Sequence, residues 1–173
     1  MKKLCKLGVK EVIYIGKLGS LRTPRDIYNV VFSPTKYITI GYCDVKNVTE
    51  TILNNMAVMF PELNTHCHVS VPTVIGEDLV QRSAMTQHGA RSIDNEISQM
   101  AHAISNFNKM SQQQVCFSSL HFASDYLRKS AEVDSGIAYD LSNNRSKESL
   151  ERKTKMMQVL LSYLMLYIQS RYK

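Results

Sequence analysis

The hydrophobic positions of the chain follow two spacings, one typical of strands and one typical of helices. Compact runs rich in β-branched and aromatic residues predict strands, at residues 11–15, 26–32, 36–40, 66–71, 91–93 and 114–122. Apolar residues three to four positions apart predict helices, from Asp44 or Asn47 to Phe60, at residues 77–88, after Asp94, and at residues 146–172. This alternation predicts one α/β domain over residues 1–173, a mixed β-sheet flanked by helices.

Polar or glycine-rich segments follow three of the predicted strands. They are Gly16 to Ser20, which we predict to be a sharp turn, then Asp94-Asn95-Glu96, and finally Ser124-Asp125. Asp94 is also the expected cap of the helix that follows it. Because ligands of open α/β sheets bind beyond the carboxyl ends of strands, we expect the three segments to share one cleft. Residues 129–144 are polar and predict a mobile loop or lid.

Taken in order, these segments resemble the superfamily of nucleoside phosphorylases and nucleosidases. Residues 16–21 resemble its glycine-rich turn, residues 68–75 the strand and loop against the base, residues 93–96 the ribose-binding segment, and residues 119–125 the strand that ends in Ser-Asp. The resemblance covers residues 4–171 and implies a nucleoside phosphorylase-like three-layer sandwich. In the resembled enzymes several strands precede the glycine-rich turn, so we expect the N-terminal strands of that fold to be missing here.

The catalytic residues that the resemblance implies are Asp125 and Arg152. Asp125 would be the general acid that protonates a departing purine base, provided that burial raises its pKa. Arg152 resembles a basic residue that lies beside the acid in some members, and Arg128 is a nearer alternative. The structural alternatives are that Asp125 caps the next turn and that either arginine is simply solvated.

The substrate-binding residues implied by the resemblance are Glu96, Asn95, Val74 and Ile75. Glu96 would accept hydrogen bonds from both ribose hydroxyls, since a carboxylate has two oxygens, and Asn95 adjoins it in the same segment. Val74 and Ile75 would lie near the base. Glu96 could alternatively stabilise only the N-terminus of the predicted helix.

The phosphate-binding residues implied by the resemblance are Gly16, Lys17, Gly19 and Ser20. A glycine-rich turn presents backbone N–H groups to an anion, and Lys17 would add a point charge. The same segment would otherwise hold the attacking water. We therefore expect no resident cofactor, with inorganic phosphate as a possible co-substrate.

Composition and charge narrow the remaining partners. The net charge is +6 with 44% hydrophobic residues, but the basic residues alternate with acidic ones, so we expect no nucleic acid partner. The longest apolar stretch, residues 156–168, is too short for a membrane span. Four cysteines without CxxC spacing indicate a reduced, cytoplasmic setting. His66 and His68 could face one side of a strand, but without a third ligand we predict no metal site.

The function predicted from these residues is cleavage of the N-glycosidic bond of a purine-type nucleoside, by phosphorolysis or hydrolysis. The alternatives are a non-catalytic nucleoside- or nucleotide-binding module and a truncated remnant of the fold. We also expect a homo-oligomer or a partner chain, because missing strands would leave an exposed sheet edge.

Overall fold

The computed structural model describes residues 1–40, 48–63, 65, 67–72, 85–127 and 146–171. Within them the strands are β1 Glu11–Ser20, β2 Val31–Phe32, β3 Lys36–Thr39, β4 Val48–Thr51, β5 Cys67–Ser70, β6 Ser92–Asp94 and β7 Cys116–Tyr126. The helices are α1 Lys2–Lys6, α2 Asn55–Met59, α3 Ile97–Met110 and α4 Lys147–Arg171, with short 3₁₀ helices at Pro24–Asp26 and Pro61–Leu63. The predicted α/β class is confirmed.

The described strands form one mixed sheet in the order β2-β7-β1-β6-β5-β3-β4. Its longest pairing is the parallel pair β1 and β7, which runs from Glu11 opposite Cys116 to Ser20 opposite Tyr126 with one register shift between Leu18 and Gly19. The short strand β6 is antiparallel to β1 and pairs only with its last two residues, Gly19 and Ser20. The carboxyl end of β6 therefore points away from the edge where β1 and β7 end.

Helices cover both faces of this sheet. One hydrophobic cluster joins β7 to α4 and includes Leu120, Phe122, Met156, Leu160 and Tyr167. A second cluster joins the sheet to α3 and includes Tyr37, Ile97, Ala101, Ile104 and Phe117. Successive side chains of a strand point to opposite faces, which is why β7 supplies both clusters. No helix among these described segments is both long and apolar enough to cross a membrane.

Two of the predicted elements are wrong. Residues 26–30 are not a strand, because Thr23 caps a 3₁₀ helix that begins at Pro24, and Tyr28 then adopts a positive φ of 50°. The single helix predicted up to Phe60 is a strand followed by a short helix. β4 pairs with the edge of β3, and the Asn54 side chain starts α2 by accepting two backbone N–H bonds.

Candidate functional site

Residues 16–20 are the end of the long strand β1, so the predicted sharp turn is wrong. They pair with β7 as far as Tyr126, and Leu18, Gly19 and Ser20 are buried. Lys17 is exposed. The two glycines leave space for neighbouring side chains instead of bending the backbone.

Gly19 provides the space that Asp125 occupies. The two residues are partners across β1 and β7, just after a register shift in the ladder. A Cβ atom added to Gly19 would lie 2.8 Å from Oδ2 of Asp125 and 3.1 Å from Cγ2 of Ile93. The Ser124 hydroxyl donates to Oδ1 of the same carboxylate at 2.6 Å. Asp125 is thus held against the strand at a position where any larger residue would collide with it.

Gly16 provides the corresponding space for Tyr14. A Cβ atom there would lie 2.7 Å from Cε1 of Tyr14 and 3.1 Å from its hydroxyl oxygen. That hydroxyl donates to Oε1 of Glu96 at 2.6 Å. Burial, together with the neighbouring Glu96 carboxylate, raises the pKa of Tyr14 well above its usual value, so the phenol stays a donor. Tyr14 therefore ties Glu96 to β1 beside Gly16.

Asp94 caps the N–H groups at the start of helix α3 from two residues before the N-cap position, which Glu96 occupies without a side-chain capping bond. Its carboxylate accepts the backbone N–H of Glu96 at 3.1 Å and that of Ile97 at 3.1 and 3.2 Å. The Ser70 hydroxyl donates to Oδ1 as well. Burial raises the pKa of Asp94, but the adjacent His68 and these hydrogen bonds outweigh it and leave the pKa below its usual value. The cap is therefore a carboxylate at neutral pH.

His68 is fully buried and contacts Asp94 from β5. Its Nε2 lies 2.9 Å from Oδ1 of Asp94, and its Nδ1 lies 2.8 Å from the Ser92 hydroxyl. The ring of His121 lies nearly parallel to it, at 6.2 Å between centroids. Among the described residues neither ring nitrogen of His121 has a hydrogen-bond partner, and burial lowers the pKa of His121 to about 3. Sequence reasoning placed His68 in the segment against the base but did not connect it with Asp94, and it did not identify Tyr14.

The other predicted residues lie as follows. Asn95 donates to the carbonyl of Val71 at 3.3 Å, which fixes the loop before α3. Arg152 donates to the carbonyl of Ile27 at 2.8 Å and lies over the ring of Tyr28 at 6.0 Å. Ser20 donates to the buried carboxylate of Asp26 at 2.6 Å. Val74, Ile75 and Arg128, together with residues 129–144, lie outside the described residues.

The structure thus holds two carboxylates against two positions of one strand. Glu96 is tied beside Gly16 through Tyr14, and Asp125 lies against Gly19. Gly16 and Gly19 are three residue steps apart on β1, with Lys17 and Leu18 between them, so their Cα atoms are about 10 Å apart along the strand. Residues 94–96 follow the carboxyl end of β6, which runs antiparallel to β1, and the expectation that the three segments share one cleft stays a prediction. Across the described ranges no group of three His, Cys, Asp or Glu residues is placed to hold a metal ion.

This sheet and its helix layers match the fold of solved nucleosidases and a phosphorylase. A 5′-methylthioadenosine nucleosidase from Arabidopsis thaliana matches with a TM-score of 0.65 and 13% identity, over 96% of this chain and 64% of that one. A methylthioadenosine phosphorylase from an antarctic soil metagenome matches with a TM-score of 0.58 and 12% identity, over 98% and 63%. At such identities the likeness shows the fold alone.

A third solved structure is similar to this chain in fold, and one curated protein is similar to it in sequence. The 5′-methylthioadenosine/S-adenosylhomocysteine nucleosidase of Helicobacter pylori, with butyl-thio-DADMe-Immucillin-A, has a TM-score of 0.60 and 12% identity, over 93% of this chain and 72% of that one. The oxidoreductase cns1 of Cordyceps militaris is 28% identical over 172 residues, 96% of this chain but only 22% of that protein. No protein-family model matches the chain.

Proposed function

We propose that the chain binds a purine-type nucleoside and cleaves its N-glycosidic bond. The observation that carries this proposal is that two carboxylates from other segments contact β1: Glu96 is tied beside Gly16, and Asp125 of β7 lies against Gly19. The solved structures that share the fold include nucleosidases and a phosphorylase that act on such bonds. The chain spans 63–64% of those two enzymes and 22% of its curated relative, so the activity of any whole protein is part of the proposal.

Each carboxylate has a distinct role in this reaction. When the bond between the sugar and the base breaks, the sugar becomes an oxocarbenium-like cation and the electron pair moves to the base. Asp125 acts as the general acid and donates its proton to that base. Glu96 accepts hydrogen bonds from the sugar hydroxyls, and its negative charge stabilises the cationic sugar. The attacking oxygen then forms the new bond to the sugar carbon; water in this role loses a proton to the solvent, and the solvent protonates Asp125 again.

We propose water, not phosphate, as the attacking group. The segment predicted to cradle phosphate is extended strand, and the Lys17 side chain is exposed to solvent. The negative charges of Glu96 and Asp94 beside β1 also oppose the binding of a phosphate anion there. Arg152 is proposed to support the fold around Tyr28 rather than to touch the base, since its guanidinium already binds the Ile27 carbonyl.

The experiment is an assay of base release on the protein expressed at its natural length. A panel of purine nucleosides is incubated in phosphate-free buffer, and the free base is quantified by chromatography. Hydrolysis predicts release without phosphate and no product carrying a sugar phosphate. Release that requires phosphate would overturn the proposed acceptor while leaving bond cleavage intact.

A non-catalytic nucleoside-binding module is the second candidate. The extended Gly16–Ser20 segment and the exposed Lys17 favour it, because neither forms a recognisable binding site for an anion or for the attacking water. Calorimetric binding of a nucleoside without any base release would decide for the module. The absence of both binding and release would leave a remnant of the fold.

A further inference from the structure

His68 has no role in the proposed reaction, although its side chain is held in a fixed position. The side chain is fully buried on β5, and both ring nitrogens are within hydrogen-bond distance of fixed partners, Ser92 and Asp94. Ser92 and Asp94 are the first and last residues of β6. The imidazole therefore spans the whole of this short strand, and its orientation is fixed at both nitrogens.

Asp94 transmits this constraint to the start of α3. Its carboxylate accepts the backbone N–H groups of Glu96 and Ile97, the first donors of the helix. The Ser70 hydroxyl bridges the same carboxylate and the backbone N–H of Ser98, at 2.8 Å from the latter. A carboxylate that is held on one side by an imidazole can stay aligned with these donors. Without the imidazole, a partly exposed aspartate gains freedom to rotate.

We propose that His68 is a positioning residue for the sugar-binding carboxylate. By holding Asp94 it fixes the first turn of α3, and this turn sets where the Glu96 side chain meets the sugar. Tyr14 holds the far end of the same side chain through its hydroxyl. This inference rests on the proposed function, because it assumes that Glu96 binds a sugar.

His121 provides a matched control in the same core. It is a buried histidine whose ring lies nearly parallel to that of His68, yet neither of its nitrogens has a hydrogen-bond partner in the part of the chain that the structure describes. Replacing an unpaired buried polar group with an apolar one of similar shape is close to neutral for stability. His121→Phe therefore removes a buried imidazole without removing a hydrogen bond, whereas His68→Phe removes two.

The experiment measures the affinity for a ribonucleoside and for its free purine base, in the protein at its natural length. His68→Phe should raise the nucleoside Kd about tenfold, as expected for a lost charge-assisted hydrogen bond, and leave the free-base Kd unchanged. His121→Phe should change neither. His68→Gln, which keeps a donor towards Asp94, should recover part of the nucleoside affinity. If His68→Phe does not fold, Ser92→Ala replaces it in the experiment, because Ser92→Ala removes only the hydrogen bond between His68 and Ser92.

The outcomes separate this inference from the proposed function. Equal loss of nucleoside and base affinity in His68→Phe, or no loss of either, would overturn the positioning role. Backbone amide spectra give a readout that needs no ligand: His68→Phe should shift the amide resonances of Glu96 and Ile97, and His121→Phe should not. If the parent protein binds no nucleoside but these shifts occur, the proposed function fails while the positioning of α3 stands. Unshifted amides would refute the positioning itself.

Discussion

Adding one methyl group at each of the two glycines of β1 should disturb the two carboxylates separately. A Cβ atom at Gly19 would meet Asp125 at 2.8 Å, and one at Gly16 would meet Tyr14 at 2.7 Å. Gly19→Ala therefore displaces the proposed acid, whereas Gly16→Ala displaces the phenol that binds Glu96. The two variants carry the same chemical change three residues apart, so each is the control for the other.

The size of each effect follows from the distances. Ordinary van der Waals contact begins near 3.4 Å, so Asp125 must retreat by about 0.6 Å or β1 must move. Overpacking of this kind costs roughly 1–3 kcal/mol, and replacing a strand glycine with alanine returns about 0.5–1 kcal/mol. The net loss of unfolding free energy should therefore stay below about 2.5 kcal/mol. Misplacement of a reacting group by about 1 Å can cost ~10²-fold in rate.

We expect Gly19→Ala to lower kcat for base release at least tenfold with little change in nucleoside Kd, the lower end of the effect of misplacing a reacting group. Gly16→Ala should mainly raise the nucleoside Kd, because it frees Glu96 from Tyr14. Single-turnover base release, isothermal titration and urea unfolding separate the three quantities. If Gly19→Ala is as active as the parent chain and equally stable, the position of Asp125 does not depend on this glycine. The claim that Gly19 provides the space for Asp125 is then refuted.

Three further predictions concern other contacts of the same structure. Glu11, whose Oε1 accepts from Ser118 and Tyr167 at 2.5 and 2.6 Å, has its pKa raised by burial, but the hydrogen bonds and Arg171 outweigh this and leave it below the usual value. The Glu11 carboxylate therefore contributes to the free energy of unfolding above its unfolded pKa, and this contribution is lost as pH falls through its folded pKa. Glu11→Gln should lower the free energy of unfolding by about 2 kcal/mol at pH 7 and reduce its fall at acidic pH, measured by urea unfolding. An equally steep fall in the variant and the parent would contradict this. Tyr14→Phe should raise nucleoside Kd about fivefold with unchanged thermal stability, and an unchanged Kd would remove Tyr14 from the site. We also propose self-association through α4, where Leu161 and Met165 are about half exposed, so sedimentation should show oligomers that Leu161→Glu abolishes; a monomeric parent chain would count against it.

The sequence predicts the elements whose signals are local. The strand at 36–40, the helix after Asp94 and the long last helix all reappear in the structure as β3, α3 and α4. The errors arise where pairing between distant segments decides the conformation. Residues 48–51 carry a helical spacing but pair with β3, and Gly16 to Ser20 carry turn residues but pair with β7.

The contacts of the candidate site that the sequence did not predict have the same cause, because they join residues that are far apart along the chain. The contact between Tyr14 and Glu96 joins residues 82 positions apart, and the one between His68 and Asp94 joins residues 26 positions apart. No local spacing connects such residues, so only the sheet order brings them together. A local signal for Tyr14 existed, since an aromatic residue two positions before Gly16 faces the same side of a strand. The antiparallel direction of β6 had no such signal.

The central claim, that Asp125 protonates a departing base, is tested most directly by base release from a bound purine nucleoside under single-turnover conditions. Asp125→Asn preserves the shape of the side chain and its contact with Ser124 but removes the proton. This variant should bind the nucleoside with nearly the parent Kd and release base ~10²–10⁴-fold more slowly. Release by Asp125→Asn at the parent rate would contradict the claim.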